Sequence, residues 1–98
     1  MADFAGWEMP ILYNGIIAEH KAVRERVGIF DVSHMGQIFI TGPDTVAFLS
    51  YVTTWDMKRQ KDSDCRYCHI LDNDGRIIDD IIAYTFTSEE YKIGRAHV

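Results

Sequence analysis

Hydrophobic and polar residues along this chain follow two different periods, and the clearest stretch has a period of two. Gly75 to Phe86 is its longest β-branched and aromatic run. Side chains on a strand alternate between faces. One face then carries Ile77, Asp79, Ile81, Ala83 and Thr85, and the other Ile78, Asp80, Ile82, Tyr84 and Phe86. The preceding Asp72-Asn73-Asp74-Gly75 is a hairpin signal with a glycine available for positive φ, so residues 64–71 are predicted as an antiparallel partner strand. Thr87-Ser88-Glu89-Glu90 predicts a second turn, with a further strand starting at Tyr91. Helical spacing appears in Ile16, Ile17, His20, Val23 and Val27, after Asn14-Gly15 and before Gly28 as a left-handed stop. Between these lie a strand at 37–41, ended by Gly42-Pro43, and a second helix through 44–53. Pro43 is expected at that helix's first position and Asp44 in its first turn. Its apolar stripe is Val46, Phe48, Leu49 and Val52. Residues 56–64 are polar and read as a loop. Residues 1–13 show no sustained period, and Pro10 forbids a helix interior there, so an extended segment bent at Gly6 is expected. The order predicts an α+β fold, a mainly antiparallel sheet with two helices.

Within the longest strand Asp80 is the anomaly. It is a carboxylate on the bulkier apolar face, between two isoleucines and beside a tyrosine. A charge there is costly unless it is paired, solvated in a pocket, or used chemically. Length and charge narrow what such a site serves. The 98 residues allow at most one domain with a modest core. The net charge of −5 and the lack of any basic cluster beyond Lys58-Arg59-Gln60-Lys61 argue against nucleic acid. No apolar run approaches a membrane span. The acidic start, Met1-Ala2-Asp3-Phe4, lacks the order of a signal peptide. A cytoplasmic, reducing setting is expected, with both cysteines as thiols.

Three further patterns suggest chemistry and carry less. Cys65-Arg66-Tyr67-Cys68-His69 matches the haem-attachment motif C-x-x-C-H. On a strand, however, Cys65 and Cys68 point to opposite faces, and every methionine precedes them. Zinc needs more ligands at suitable spacing, and no metal site is expected. Asp79-Asp80 cannot share a proton as a dyad, because strand neighbours face apart; if one is chemical, it is Asp80. Ser33-His34 reads as a turn whose hydroxyl and imidazole bond the backbone, since adjacency in sequence is not triad geometry. His20 reads as an ordinary helix residue.

Three stretches read together as one pattern: Asp3-Phe4-Ala5-Gly6-Trp7-Glu8-Met9-Pro10; Gly15 to His20 continuing through Val23 to Asp31-Val32-Ser33-His34-Met35-Gly36; and Asp74-Gly75 through Ile78-Asp79-Asp80. The pattern resembles the start of the aminomethyltransferase family, the T-proteins of the glycine cleavage system, up to about Tyr91. The resemblance implies a folate-dependent enzyme. Such an enzyme moves the aminomethyl group from the lipoyl arm of H-protein to tetrahydrofolate and releases ammonia. It implies a folate-binding N-terminal domain that supplies one wall of a central channel. Carried over by motif, Met35, Phe39, Tyr67, Ile82 and Tyr84 contact folate, and Asp80 lies by its reactive nitrogens as the catalytic carboxylate. The alternatives are another folate-dependent demethylase, a dimethylglycine dehydrogenase-like folate domain, or a non-catalytic folate-binding module. A haem electron carrier rests on Cys65 to His69 alone.

The family runs to several times this length. Residues 1–91 are therefore expected to be a partial domain, inactive alone and with a strand edge unpaired. Lys92-Ile93-Gly94-Arg95-Ala96-His97-Val98 departs from the apolar strand of the family and matches one reading frame of a widely used sequencing adapter. It is expected to be a non-native tail.

Overall fold

The structure, a computed structural model, describes residues 1–95. They form two compact units, divided after His34. In the first, β1 (Ala2–Phe4) and β2 (Trp7–Met9) make an antiparallel hairpin. Its turn places both Ala5 and Gly6 at positive φ, 52° and 81°, and the Asp3 carboxylate accepts the Gly6 N–H at 3.0 Å. The bend at Gly6 is as expected; the pairing on either side of it is an addition.

The helix α1 runs Ile16–Glu25, shorter than the apolar spacing suggests. Gly15 precedes it at φ 138° without a side-chain cap. Glu19 reaches back to accept the Tyr13 N–H at 3.0 Å. Gly28 is not the left-handed stop expected of it. Its role is close approach: a Cβ there would lie 2.5 Å from Cγ2 of Val23. No residue of α1 is buried, and the expected stripe of Ile16, Ile17, Val23 and Val27 is exposed.

The second unit holds the core. Its strands are β3 (Gly36–Thr41), β4 (Cys65–Leu71), β5 (Ile77–Thr87) and β6 (Glu90–Arg95). They form one antiparallel sheet in the order β3-β6-β5-β4. The β4–β5 turn is the expected one. Gly75 takes φ 78°, and Asp72 accepts the N–H groups of Asp74 and Arg76, both at 2.9 Å. The helix α2 (Thr45–Val52) starts later than Pro43 and Asp44 suggest. The Gly42 carbonyl takes both the N–H and the hydroxyl of Thr45, which sets the first turn there.

Leu49 of α2 meets Cys68, Ile81, Ala83, Tyr91 and Ile93 on one face of the sheet, with Val46 and Val52 half-buried beside it. Phe48, assigned to the same stripe by spacing, is exposed instead. The stretch read as a polar loop contains a 3-10 turn, Met57–Arg59, whose Met57 is fully buried in the core. Its N–H is tied to the Ser50 hydroxyl at 2.9 Å. Beyond the turn, the Gln60 amide donates to the buried Thr85 hydroxyl at 2.6 Å.

The strand faces divide as alternation requires, but the core lies under the less bulky one. Asp79, Ile81, Ala83 and Thr85 are buried, while Ile78, Asp80, Ile82, Tyr84 and Phe86 lie on the open side, half-buried or exposed. The buried carboxylate is thus Asp79, 2% exposed, and it accepts from Arg95 at 2.6 Å. Asp80 is only half-buried. Helix α2 decides this outcome: small Ala83 leaves room for Leu49 and Met57, and the larger side chains turn away.

Strand β6 lies between β3 and β5, so its backbone is paired on both sides and the exposed edges belong to β3 and β4. Lys92 to Arg95 of the expected tail fall in this strand, and residues 96–98 lie outside the described residues. Alternation alone seats Ile93 inward beside Tyr91. Among the described residues no helix is long and apolar enough to cross a membrane.

Leu49→Ala should therefore cost about 2–5 kcal/mol of stability in urea unfolding, the range for a core leucine. Phe39→Ala, on the open face and 64% exposed, should cost under about 0.5 kcal/mol. A larger loss for Phe39→Ala than for Leu49→Ala would mean that the core lies on the other side of the sheet.

Candidate functional site

The open face of the sheet gathers five of the six candidate residues. Register places Phe39 opposite Lys92, Lys92 opposite Tyr84, Tyr67 opposite Ile82, and His69 opposite Asp80. Directly opposed residues of an antiparallel pair share a face. Phe39, Tyr67, Asp80, Ile82 and Tyr84 therefore stand on one side, from three of the four strands, β3, β4 and β5. Met35 is the exception: it precedes β3, half-buried, and the β3–β6 ladder begins only at Gly36.

The centre of this face is polar. The Tyr67 hydroxyl donates to Oδ2 of Asp80 at 3.2 Å. Tyr67 is diagonal to Asp80 across the strands, within reach of a long aromatic side chain. The phenol's pKa is raised, first by partial desolvation, then by the hydrogen bond to Asp80 and by the negative charge of that carboxylate. Apolar and aromatic groups surround the pair: Ile82 and Tyr84 half-buried, Phe39, Ile78 and Phe86 exposed. The Lys92 ammonium sits 4.8 Å from the centre of the Tyr84 ring, in cation–π range. A flat ligand with a few polar edges suits such a surface. Its one central carboxylate can accept a proton or face a developing cation.

His69 is on this face as well, half-buried and edge-to-face with Tyr67, ring centres 5.2 Å apart. Sequence reasoning takes it only as the end of a C-x-x-C-H match. The period of two is the signal that puts it beside Tyr67.

The remaining candidates take structural places. Cys65 is exposed and Cys68 buried, both as free thiols, on opposite sides of β4 as alternation requires. Burial pushes the Cys68 thiol pKa up, against smaller opposing effects of Thr53 and Arg66, so this sulfur is a packing group. Ser33 donates its N–H to Asp31 at 2.9 Å. Hydrogen bonds from the Ser33 hydroxyl and N–H hold the Asp31 carboxyl below its ordinary value. The His34 ring stacks edge-on against Phe4 at 4.9 Å, and its Nδ1 has no hydrogen-bond partner among the described residues. His20 is exposed on α1. Among the described residues no three His, Cys, Asp or Glu side chains converge to hold a metal ion.

Comparison with known proteins matches residues 1–97 to the family described as GCVT N-terminal domain. The chain is 44% identical over 91 residues to an aminomethyltransferase of Desulfitobacterium hafniense, covering 93% of this chain and 25% of that protein. It is 48% identical over 95 residues to an aminomethyltransferase of Leptospira interrogans, covering 95% and 26%. The crystal structure of glycine cleavage system aminomethyltransferase T from Bartonella henselae superposes with a TM-score of 0.85 at 36% identity, over 96% of this chain and 26% of that one. The chain spans about a quarter of the length of these relatives.

The Tyr67–Asp80 bond has a pH signature. A phenol whose folded pKa is raised adds stability that is complete below its unfolded value, near 10. That stability is lost as pH climbs through the higher folded value. Asp80→Asn removes the charge and weakens the hydrogen bond, so the Tyr67 titration should move down toward 10 without reaching it, desolvation being retained. Tyrosine ring NMR across alkaline pH checks this; an unmoved midpoint would break the link between the two residues.

Proposed function

The chain belongs to the GCVT N-terminal domain family, and on that premise we propose that it is part of a cytoplasmic, tetrahydrofolate-dependent aminomethyltransferase of the glycine cleavage system. The reaction takes the aminomethyl carbon from the lipoyl arm of H-protein to tetrahydrofolate and releases ammonia. The observation that carries this reading is the Tyr67–Asp80 pair on a sheet face that also presents Phe39, Ile82 and Tyr84. The residues there fit the group. Phe39, Ile82 and Tyr84 offer apolar surface for a flat pterin and aminobenzoyl body, and Tyr67 and Asp80 offer the few polar contacts that orient it. Met35 is assigned to the same ligand by motif. Tetrahydrofolate supplies the nitrogens that receive the carbon.

In this reading Asp80 is the catalytic group of the chain. Its carboxylate accepts or steers a proton at the reacting nitrogens. It also offsets the positive charge that develops as ammonia leaves. Tyr67 holds the carboxylate in place through its hydroxyl. Asp79, one residue away, takes no part, because its side chain is in the core against Arg95.

Residues 1–91 are proposed as one wall of the folate site. Alone, that wall leaves a ligand mostly in water, so the 98-residue chain is expected to be inactive. Lys92 to Val98 keep the reading of a non-native tail, and a genomic coding sequence that continues through Lys92 to Val98 would remove it.

Asp80→Asn in a full-length enzyme carrying this segment should lower turnover by about 100-fold or more while folate affinity changes much less. Equal losses in both would deny Asp80 a chemical role. Calorimetric titration of the 98-residue chain with tetrahydrofolate should show no tight stoichiometric binding; tight binding would contradict the one-wall reading.

A further inference from the structure

Tyr67 is 60% exposed, yet its hydroxyl is aimed at one carboxylate oxygen. A tyrosine on an open sheet face has free rotation about its side-chain bonds, and a single exposed hydrogen bond is weak against that freedom. Something must hold the ring. The side chain on which the Tyr67 ring rests is His69, with ring centres 5.2 Å apart and planes at 75°. Edge-to-face pairs of this kind add to the stabilisation from area burial, on a scale comparable with the hydrogen bond they would support.

The backbone of His69 is itself fixed from both sides. On one side it pairs with Asp80 of β5. On the other, its N–H donates to the Thr54 hydroxyl and its carbonyl accepts the Thr54 N–H, both at 3.0 Å. The bridge of Thr53 to Ile70 continues that clamp. Position 69 is thus among the better-anchored points of an edge strand, and its ring is delivered to the open face, two residues along β4 from Tyr67 and opposite Asp80.

We propose that His69 is a positioning residue of this site, holding the Tyr67 ring in the rotamer that places its hydroxyl on Asp80. It acts through Tyr67 and through packing, and touches no ligand in this role. The inference rests on the reading of Tyr67 and Asp80 as the working pair of the site, and it adds a residue that the family motif does not supply. Among the described residues, the other titratable groups whose strand positions share this face are Cys65, Asp80, Tyr84, Glu90 and Lys92.

The test uses the 98-residue chain and the alkaline NMR titration of the Tyr67 ring, with the sheet amide spectrum as the control for folding. His69→Ala should shift the Tyr67 midpoint down toward the ordinary tyrosine value and average its ring signals. His69→Phe, which keeps an aromatic edge without an imidazole, should restore both. Should His69→Ala disturb the sheet, His69→Leu, which keeps bulk without an aromatic edge, should give the same loss. An unmoved Tyr67 midpoint in a folded Ala or Leu variant overturns the proposal, as does failure of Phe to restore it. Folate plays no part in this readout. A negative result here leaves the folate reading standing, and absence of folate binding leaves this result standing.

Discussion

The period of two along β5 constrains everything else in the second unit. Two adjacent carboxylates are forced to opposite sides of one sheet, and the two sides then treat them differently. On the closed side Asp79 is buried on the same face as Ile81 and Ala83, where a bare charge is prohibitive; Arg95 meets it at 2.6 Å. On the open side Asp80 keeps partial contact with water and one phenol. A one-residue slip in register would exchange the two. The Asp72–Gly75 turn, with its two amide bonds to Asp72 and its positive-φ glycine, prevents that slip.

Much of this was readable from the residues. The hairpin between β4 and β5, the second turn, the two helices and the separation of Asp79 from Asp80 follow from period and turn chemistry. Which face is the core did not follow, because side-chain bulk is a poor guide when a helix must fit against the sheet. Ala83 is the small residue that makes room, and its meaning appears only once Leu49 is above it. Met57 was hidden for a related reason: a lone apolar residue among charges has no period, and only the Ser50 hydrogen bond and the 3-10 turn carry it inward.

The site divides in the same way. Tyr67, Asp80, Ile82 and Tyr84 share a face because β4 and β5 are consecutive, so their relation is local. Phe39 joins them through β6, two strands over, which is a long-range pairing that no window of sequence contains. Helix α1 illustrates the opposite limit. Its amphipathic spacing is real, yet Ile16, Ile17 and Val23 remain exposed. Periodicity says that a face is apolar and does not say what it meets.

The claim on which the account turns is that neighbouring residues of β5 serve opposite purposes, the even positions toward a ligand and the odd ones toward the core. Methyl NMR of Ile81 and Ile82 in a full-length enzyme carrying this segment, with and without tetrahydrofolate, reads that difference directly. The account predicts that the Ile82 methyl shifts on folate addition while the Ile81 methyl stays in place. A shift at Ile81 with Ile82 unmoved, or equal shifts at both, would contradict it.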